Sequence, residues 1–249
     1  NWGVKEWLNW QESINPNEID LSLDRLRVVL PKLDIQPPTD KTFLVAGTNG
    51  KGTTVALLED ILIKKGLKVG SYTSPHLIDY NERIRINKQP IDDLKLVESF
   101  RFIESIRNSI PLTYFEFGTL AAFSILTDLD CDVWLIEVGL GGRLDATNVI
   151  DPSISIITNI DFDHQQWLGY TLDEIAREKG GIIKINTPCV YGDISIQKSI
   201  QEIAHCMDSD LYTLDRDFSL FENGSDFTWK GKNNHIDSIQ IPSHWASGE

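Results

Sequence analysis

The sequence predicts an α/β fold, a mostly parallel sheet with helices on both faces. Three observations carry that expectation. Short apolar runs at 43–46, 69–73, 133–138, 154–158 and 189–191 read as strands. Amphipathic stretches near 53–65, 92–109, 115–128, 171–184 and 195–206 separate them and read as helices. The strand runs are continuously apolar rather than alternating, which marks strands buried on both sides.

Residues 1–40 read as a helical leader packed on the main domain. Asp20-Leu21-Ser22-Leu23-Asp24-Arg25-Leu26 opens a stretch in which Leu26, Val29, Leu30 and Leu33 recur at helical spacing, and Pro37-Pro38 ends it. The main domain is expected over 41–240. Within it, Thr171 and Glu174 have capping-box spacing at a helix start. Beyond residue 210 the pattern changes. Phe218-Ser219-Leu220-Phe221, the turn-forming Asn223-Gly224-Ser225-Asp226, and Phe227-Thr228-Trp229 read as a small β-hairpin region. Residues 241–249 trail off as the start of a linker.

Of the 249 residues, 41% are hydrophobic, enough for one large core or one core and part of another. No run is long and apolar enough to cross a bilayer, and no secretory leader is visible. Cys131, Cys189 and Cys206 are scattered and lack CxxC spacing, which suits a reducing cytoplasm. The formal net charge of −14 argues against nucleic acid and anionic membranes as partners. An anionic ligand would therefore need basic groups gathered at one place. Lys51, Arg83, Arg85, Arg143 and Lys179 all lie in or beside unusual motifs.

The first motif is Val45-Ala46-Gly47-Thr48-Asn49-Gly50-Lys51-Gly52-Thr53-Thr54, between a strand and a helix. Glycines let successive N–H groups turn toward one point, the helix N-terminus adds partial positive charge, and Lys51 adds a full one. A polyphosphate suits such a turn, with Thr53 or Thr54 offering a hydroxyl to magnesium. The match to the general P-loop pattern is incomplete. Val45 stands where a glycine is expected, and Gly52 separates Lys51 from the threonines.

Other loops fall after strands, where ligands of parallel sheets sit. Glu137 ends the run from Asp132 and enters Gly139-Leu140-Gly141-Gly142-Arg143-Leu144-Asp145-Ala146-Thr147-Asn148. A strand-tip carboxylate beside a phosphate loop suits Mg²⁺, and so many glycines suggest backbone close to a ligand. Asp161-Phe162-Asp163-His164 could hold a metal or orient a base, or His164 could be structural. Lys179, in Arg177-Glu178-Lys179-Gly180-Gly181, reads on its own as a solvent-facing charge. Thr73-Ser74-Pro75-His76-Leu77 puts Ser74 where it could reach a metal or phosphate. Glu82-Arg83-Ile84-Arg85-Ile86 alternates like a strand or a covering loop. Tyr114-Phe115-Glu116-Phe117 offers aromatic faces to a flat heterocycle, or to the core.

Together these segments, spread in order from about residue 19 to 183, resemble the folylpolyglutamate and dihydrofolate synthases of the Mur ligase superfamily, most closely the bifunctional bacterial members. The inserted Gly52 is a feature of that family. The resemblance implies an ATP-dependent ligase that adds L-glutamate to dihydropteroate or folate through an acyl phosphate. It implies that Thr48, Asn49, Gly50, Lys51, Gly52 and Thr53 hold ATP. Thr53, Ser74, Glu137, His164 and Lys179 would hold Mg²⁺, as two ions, with Lys179 carried as a carbamate. Lys51, His164 and Lys179 would act in catalysis. Asp20, Leu21, Thr113, Tyr114, Phe115, Glu116, Leu144, Asp145 and Ala146 would contact the pterin-bearing substrate. The resemblance also implies a cytoplasmic monomer. Gly180 departs from the family's usual alanine, and the family's second, C-terminal α/β domain is not found in these residues. Two other readings stand beside this one. One is a sibling ligase acting on cell-wall precursors, and the other is a P-loop module that binds nucleotide without ligation.

Overall fold

The computed structural model of the chain describes residues 2–240 apart from 16, 18, 196, 224 and 225 and the Asn223 side chain. The expected linker at 241–249 lies outside the described residues, as does part of the expected hairpin turn.

The leader forms two helices, α1 (Val4–Ile14) and α2 (Asp24–Val29). Then come β1 (Thr42–Ala46), α3 (Lys51–Lys64), β2 (Val69–Tyr72), β3 (Ile84–Ile86) and β4 (Gln89–Pro90). Two long helices follow, α4 (Asp93–Ile106) and α5 (Tyr114–Asp128), leading to β5 (Val133–Glu137) and β6 (Ile154–Ile157). The chain continues through α6 (Gln165–Leu168), α7 (Leu172–Gly180), β7 (Cys189–Tyr191), α8 (Lys198–Cys206) and β8 (Leu211–Thr213). Last are β9 (Phe218–Asn223), β10 (Asp226–Gly231) and β11 (His235–Gln240).

The main sheet has eight strands in the order β4-β3-β2-β5-β1-β6-β7-β8. All neighbours from β2 to β8 are parallel, and the β2–β3 and β3–β4 pairs are antiparallel. The alternating 82–86 segment is therefore a turn leading into β3, the strand next to the β4 edge. The last three strands make a separate antiparallel sheet, one strand more than the hairpin read from sequence. Strand β8 has no counterpart among the expected elements, and α1 falls within the expected helical leader, ahead of the residues whose helical spacing marks it. Three residues are too few to show periodicity in β8, and the buried Gln11 breaks the apolar stripe of α1.

The side-chain period of two sorts the strands onto two faces. Val45, Val133 and Leu135 pack with Val55 of α3 on one side. Leu44, Trp134 and Ile136 belong to the larger core on the other, where Phe123 of α5 stacks on Trp134 at 5.7 Å. The leader shares that larger core through Trp7, Leu26, Val29 and Leu33. The capping box at Thr171 is formed, and a second one joins Thr113 and Glu116 at the start of α5.

Gly180 has a packing role. A methyl group there would lie 2.8 Å from Ile203 Cδ1 and 3.0 Å from Ile200 Cδ1 of α8. Gly180→Ala should gain about 1 kcal/mol of helix propensity and lose about 1–3 kcal/mol to overpacking. Alone it should lower the melting temperature. Combined with Ile203→Val, which removes the nearer obstacle, it should recover most of the loss in thermal unfolding.

Candidate functional site

Strand β1 lies between β5 and β6, so three C-terminal strand ends sit side by side. Val45 is in register with Glu137, and Ala46 with Ile157. The tip of β1 runs into the glycine-rich turn. Gly50, at φ +79°, is the residue before α3, a left-handed conformation that glycine adopts without strain. Gly47 lies so close to Thr158 that any side chain would overlap its hydroxyl.

The segment after β6 holds this turn in shape. Thr158 Oγ1 donates to the Asn49 carbonyl at 2.6 Å. The Asn49 N–H donates to Asn159 Oδ1 at 2.8 Å, and the Thr48 N–H to the Asn159 carbonyl at 3.1 Å. Thr48 Oγ1 donates to the Asp161 carbonyl and accepts from the Asp161 N–H. The N–H groups of Thr48 and Asn49 are thus engaged. Those of Lys51, Gly52 and Thr53, in the first turn of α3, have no partner among the described residues. Lys51 Nζ curls back over the turn to the carbonyls of Gly47 and Thr48, at 3.0 and 3.2 Å. The structure also separates the two threonines. Thr54 Oγ1 donates to the Gly50 carbonyl at 2.8 Å, whereas Thr53 is exposed and its hydroxyl makes no bond among the described residues.

Glu137 is buried at the tip of β5 beside this turn. Its Oε2 accepts from the Ser74 N–H at 3.1 Å, and a methyl on Gly52 would lie 3.7 Å from that oxygen. Burial pushes its carboxyl pKa up, against the Ser74 N–H and the positive charges of Lys51 and Arg85. Lys179, late in α7, is only 2% exposed, and its amine makes no hydrogen bond or ion pair among the described residues. Burial, then the charge of Lys51, lowers its amine to about 8, with Asp163 opposing. The bare sequence placed this lysine in solvent, and the structure corrects that. Among the described residues, no group of three or more His, Cys, Asp or Glu side chains could by itself hold a metal ion.

A cleft of about 590 Å³ opens beside these groups. Asp20 and Leu21 of the leader line it, with Ser74, His76 and Arg83, then Thr113, Tyr114, Phe115 and Glu116. Leu144, Asp145, Ala146 and His164 complete the wall. Every residue assigned to the pterin-bearing substrate thus lines one cavity, but their side chains differ in freedom. Glu116 is held by Arg25 Nε, at 2.9 and 3.1 Å, and accepts the Thr113 N–H at 2.8 Å. Arg25 also grips Asp20 at 2.7 Å and so ties the leader to the cleft. Asp145 accepts from Leu140 N–H, Thr147 N–H and Thr147 Oγ1 and shapes its own loop. Phe115 stacks on Tyr72 at 6.0 Å. Arg83 donates through Nε to His76 Nδ1 at 2.9 Å and lies over the Tyr80 and Tyr114 rings. His164, at φ +45°, leads into α6, with Nε2 3.6 Å from Asp163 Oδ1.

The glycines of the 139–148 loop answer to protein contacts. Gly139 lies against the Phe115 ring, and a methyl on Gly142 would come within 2.8 Å of the Glu178 carbonyl. They let this loop pack on the end of α7, where Arg143 also pairs with Glu178 at 2.7 Å. Asn159, Thr158, Arg25 and Glu59 are structurally prominent residues that sequence reasoning left without a role.

Fold and site define a P-loop-like α/β domain with an acid-tipped neighbouring strand. Comparison with known proteins names its kind. The Mur ligase middle domain model matches residues 45–205, and the chain belongs to that family. A dihydrofolate synthase/folylpolyglutamate synthase of Haemophilus influenzae is 42% identical over 242 residues, covering 96% of this chain and 55% of the relative. Escherichia coli FolC in complex with DHPP and ADP superposes with a TM-score of 0.94 at 38% identity, over 97% of this chain and 58% of that one. A bifunctional folylpolyglutamate synthase/dihydrofolate synthase with Mn, AMPPNP and L-glutamate bound gives 0.90 at 40% identity, over 97% and 58%. The chain spans about half the length of the curated relatives it matches. No helix among the described residues is long and apolar enough to cross a membrane.

The Lys179 environment has a measurable consequence. Its amine titrates at about 8 in the fold, against 10.5 for an ordinary lysine. Between these values this amine binds more protons in the unfolded chain, so its own contribution to stability rises with pH, whereas the thiols of Cys131 and Cys189, pushed up by burial to about 11 and about 12, oppose that rise above about pH 9. Below about pH 9, urea midpoints in CO₂-free buffer should rise more steeply with pH in the wild type than in Lys179→Met.

Proposed function

We propose that this chain is the nucleotide- and pterin-binding part of an ATP-dependent ligase that joins L-glutamate to dihydropteroate or folate. The observation that carries the reading is the convergence on one strand edge of a phosphate cradle, a buried carboxylate and an aromatic-lined cleft. The relatives' names support it, and so do the DHPP, nucleotide and glutamate held by the similar structures.

The residues fit the groups such a reaction needs. The unengaged N–H groups at the start of α3 suit phosphate oxygens. The Thr53 hydroxyl and the Glu137 carboxylate are hard oxygen donors of the kind Mg²⁺ takes, with Ser74 and His164 as the further donors. Magnesium there would offset the charge of the transferring phosphoryl group. Lys179 fits a carbamate because burial favours its neutral amine, the form that adds CO₂, and the product carries a carboxylate-like charge. His164 and Lys179 then belong to the metal's surroundings and Lys51 to the phosphates.

The chemistry follows from a poor leaving group. A carboxylate oxygen cannot depart when an amine attacks, so the pterin acid's carboxylate first takes the γ-phosphoryl group of ATP, breaking that group's bond to the bridging oxygen and leaving ADP. The glutamate amine then adds to the acyl phosphate, and inorganic phosphate leaves as the amide forms. The chain's part is to align carboxylate and γ-phosphate and to exclude water. Lys51 is free to exchange its loop carbonyls for phosphate oxygens. Arg25 holds the leader over the cleft by bridging Asp20 and Glu116.

Lys51→Ala should weaken Mg-AMPPNP binding about ten- to a hundred-fold, the ~1.5–3 kcal/mol of hydrogen bonds to a charged group. Dihydropteroate binding and the melting curve should change little. Unchanged nucleotide affinity in the folded variant contradicts the assignment. Competition between dihydropteroate and UDP-linked peptides separates this reading from the cell-wall one. Phosphate release that requires both glutamate and a pterin acid separates it from a module that only binds nucleotide.

A further inference from the structure

Glu59 lies on α3 eight residues beyond Lys51, about 12 Å along the helix. It is 1% exposed, in the middle of an otherwise apolar helix face. Its Oε1 accepts from Ser71 Oγ of β2 at 2.8 Å, and its Oε2 from Arg85 Nη2 of β3 at 2.7 Å. Arg85 Nη1 donates in turn to Thr73 Oγ1 at 2.9 Å and to the Glu82 carbonyl at 3.1 Å. Thr73 begins the 73–83 loop that carries Ser74 and His76 into the cleft, and Glu82 lies one residue from its other end.

That loop is braced within itself. The Glu82 carboxylate accepts the N–H groups of Leu77, Ile78 and Asp79, at 2.8, 3.1 and 2.9 Å. The Thr73 N–H also closes on the Arg83 carbonyl at 2.8 Å. A loop so braced moves as a unit, and Arg85 is where that unit is fastened to the phosphate-loop helix. Neither Glu59 nor Arg85 lines the cleft. A well-packed apolar pair could stabilise the fold as well as a buried ion pair does, so stability alone does not require these charges.

We propose that Glu59 and Arg85 are positioning residues that hold the phosphate-loop helix and the 73–83 loop in fixed register, so that nucleotide and pterin acid meet in alignment. The inference rests on the ligase reading above. Breaking the pair leaves the phosphate cradle intact, because that cradle is held by Thr158, Asn159 and Asp161. It removes the loop's tether to α3, while Ser74 stays bonded to Glu137 and Tyr80 stays in the core.

The test is calorimetric titration of Mg-AMPPNP, and of 7,8-dihydropteroate in its presence, into wild type, Glu59→Leu, Arg85→Met and the double variant. Each single variant should weaken dihydropteroate binding about ten-fold and leave AMPPNP within about two-fold. The double variant should be no worse than the worse single, because both cut one tether. Glu59→Gln keeps an acceptor for Arg85 and should recover most of the affinity. If a single variant fails to fold, the double variant and Arg85→Lys carry the same comparison. Folded variants with wild-type dihydropteroate affinity, or with parallel loss of nucleotide, overturn the role of the pair alone. Wild-type protein that binds nucleotide but no dihydropteroate removes the substrate reading and this inference together.

Discussion

The hydrogen-bonded register of β1 between β5 and β6 is the constraint on which the site depends. Parallel strands end together, so placing β1 centrally puts a loop one strand spacing away on either side of its own. One loop is the glycine-rich turn, the second begins at Glu137, and the third supplies Thr158, Asn159 and Asp161. The third loop is as consequential as the first. It engages the N–H groups of Thr48 and Asn49 and leaves those at the start of α3 open. Slipping a strand by one residue would turn Glu137 to the opposite face and dissolve the arrangement.

Charge is handled locally against an unfavourable whole. The chain carries a formal net charge of −14, yet Lys51 and Lys179 are close enough for one to depress the other's proton affinity. Burial pushes Glu137 toward its neutral form and Lys179 toward its own. A site that penalises both charges in this way favours whatever brings compensating charge, and a metal-bound polyphosphate does so. The pair of buried Glu59 and half-buried Arg85 is neutral as a unit and keeps Arg85's charge beside this region without leaving it unpaired.

Much of the fold was legible because buried parallel strands leave an unmistakable pattern. The five core strands and five main helices follow from apolar runs and spacing, with ends displaced by a few residues. What escaped had little pattern to show. Strand β8 is three residues long, and α1 buries Gln11 where an apolar residue would have marked its face. Of the candidate site, the glycine-rich turn between β1 and α3 and the place of Glu137 at a strand tip were readable from residue type and position alone. Lys179 was not, because nothing local distinguishes a lysine that folds inward from one facing solvent. The glycines of 139–148 were read as making room for a ligand, but they make room for Phe115 and the end of α7. Glu59 did leave a signal. A carboxylate four residues after Val55 and three before Leu62, on a buried stripe, needs a basic partner, and Arg85 alternates with apolar residues in the neighbouring strand.

The central claim is that the tips of β1 and β5 build one metal–nucleotide site. Anomalous diffraction from crystals grown with Mn²⁺ and AMPPNP tests it most directly. The expected result is a manganese peak within coordination distance of the Glu137 carboxylate, with phosphate oxygens over the N–H groups of Lys51, Gly52 and Thr53. Nucleotide bound away from Gly50, or manganese remote from Glu137, would contradict it.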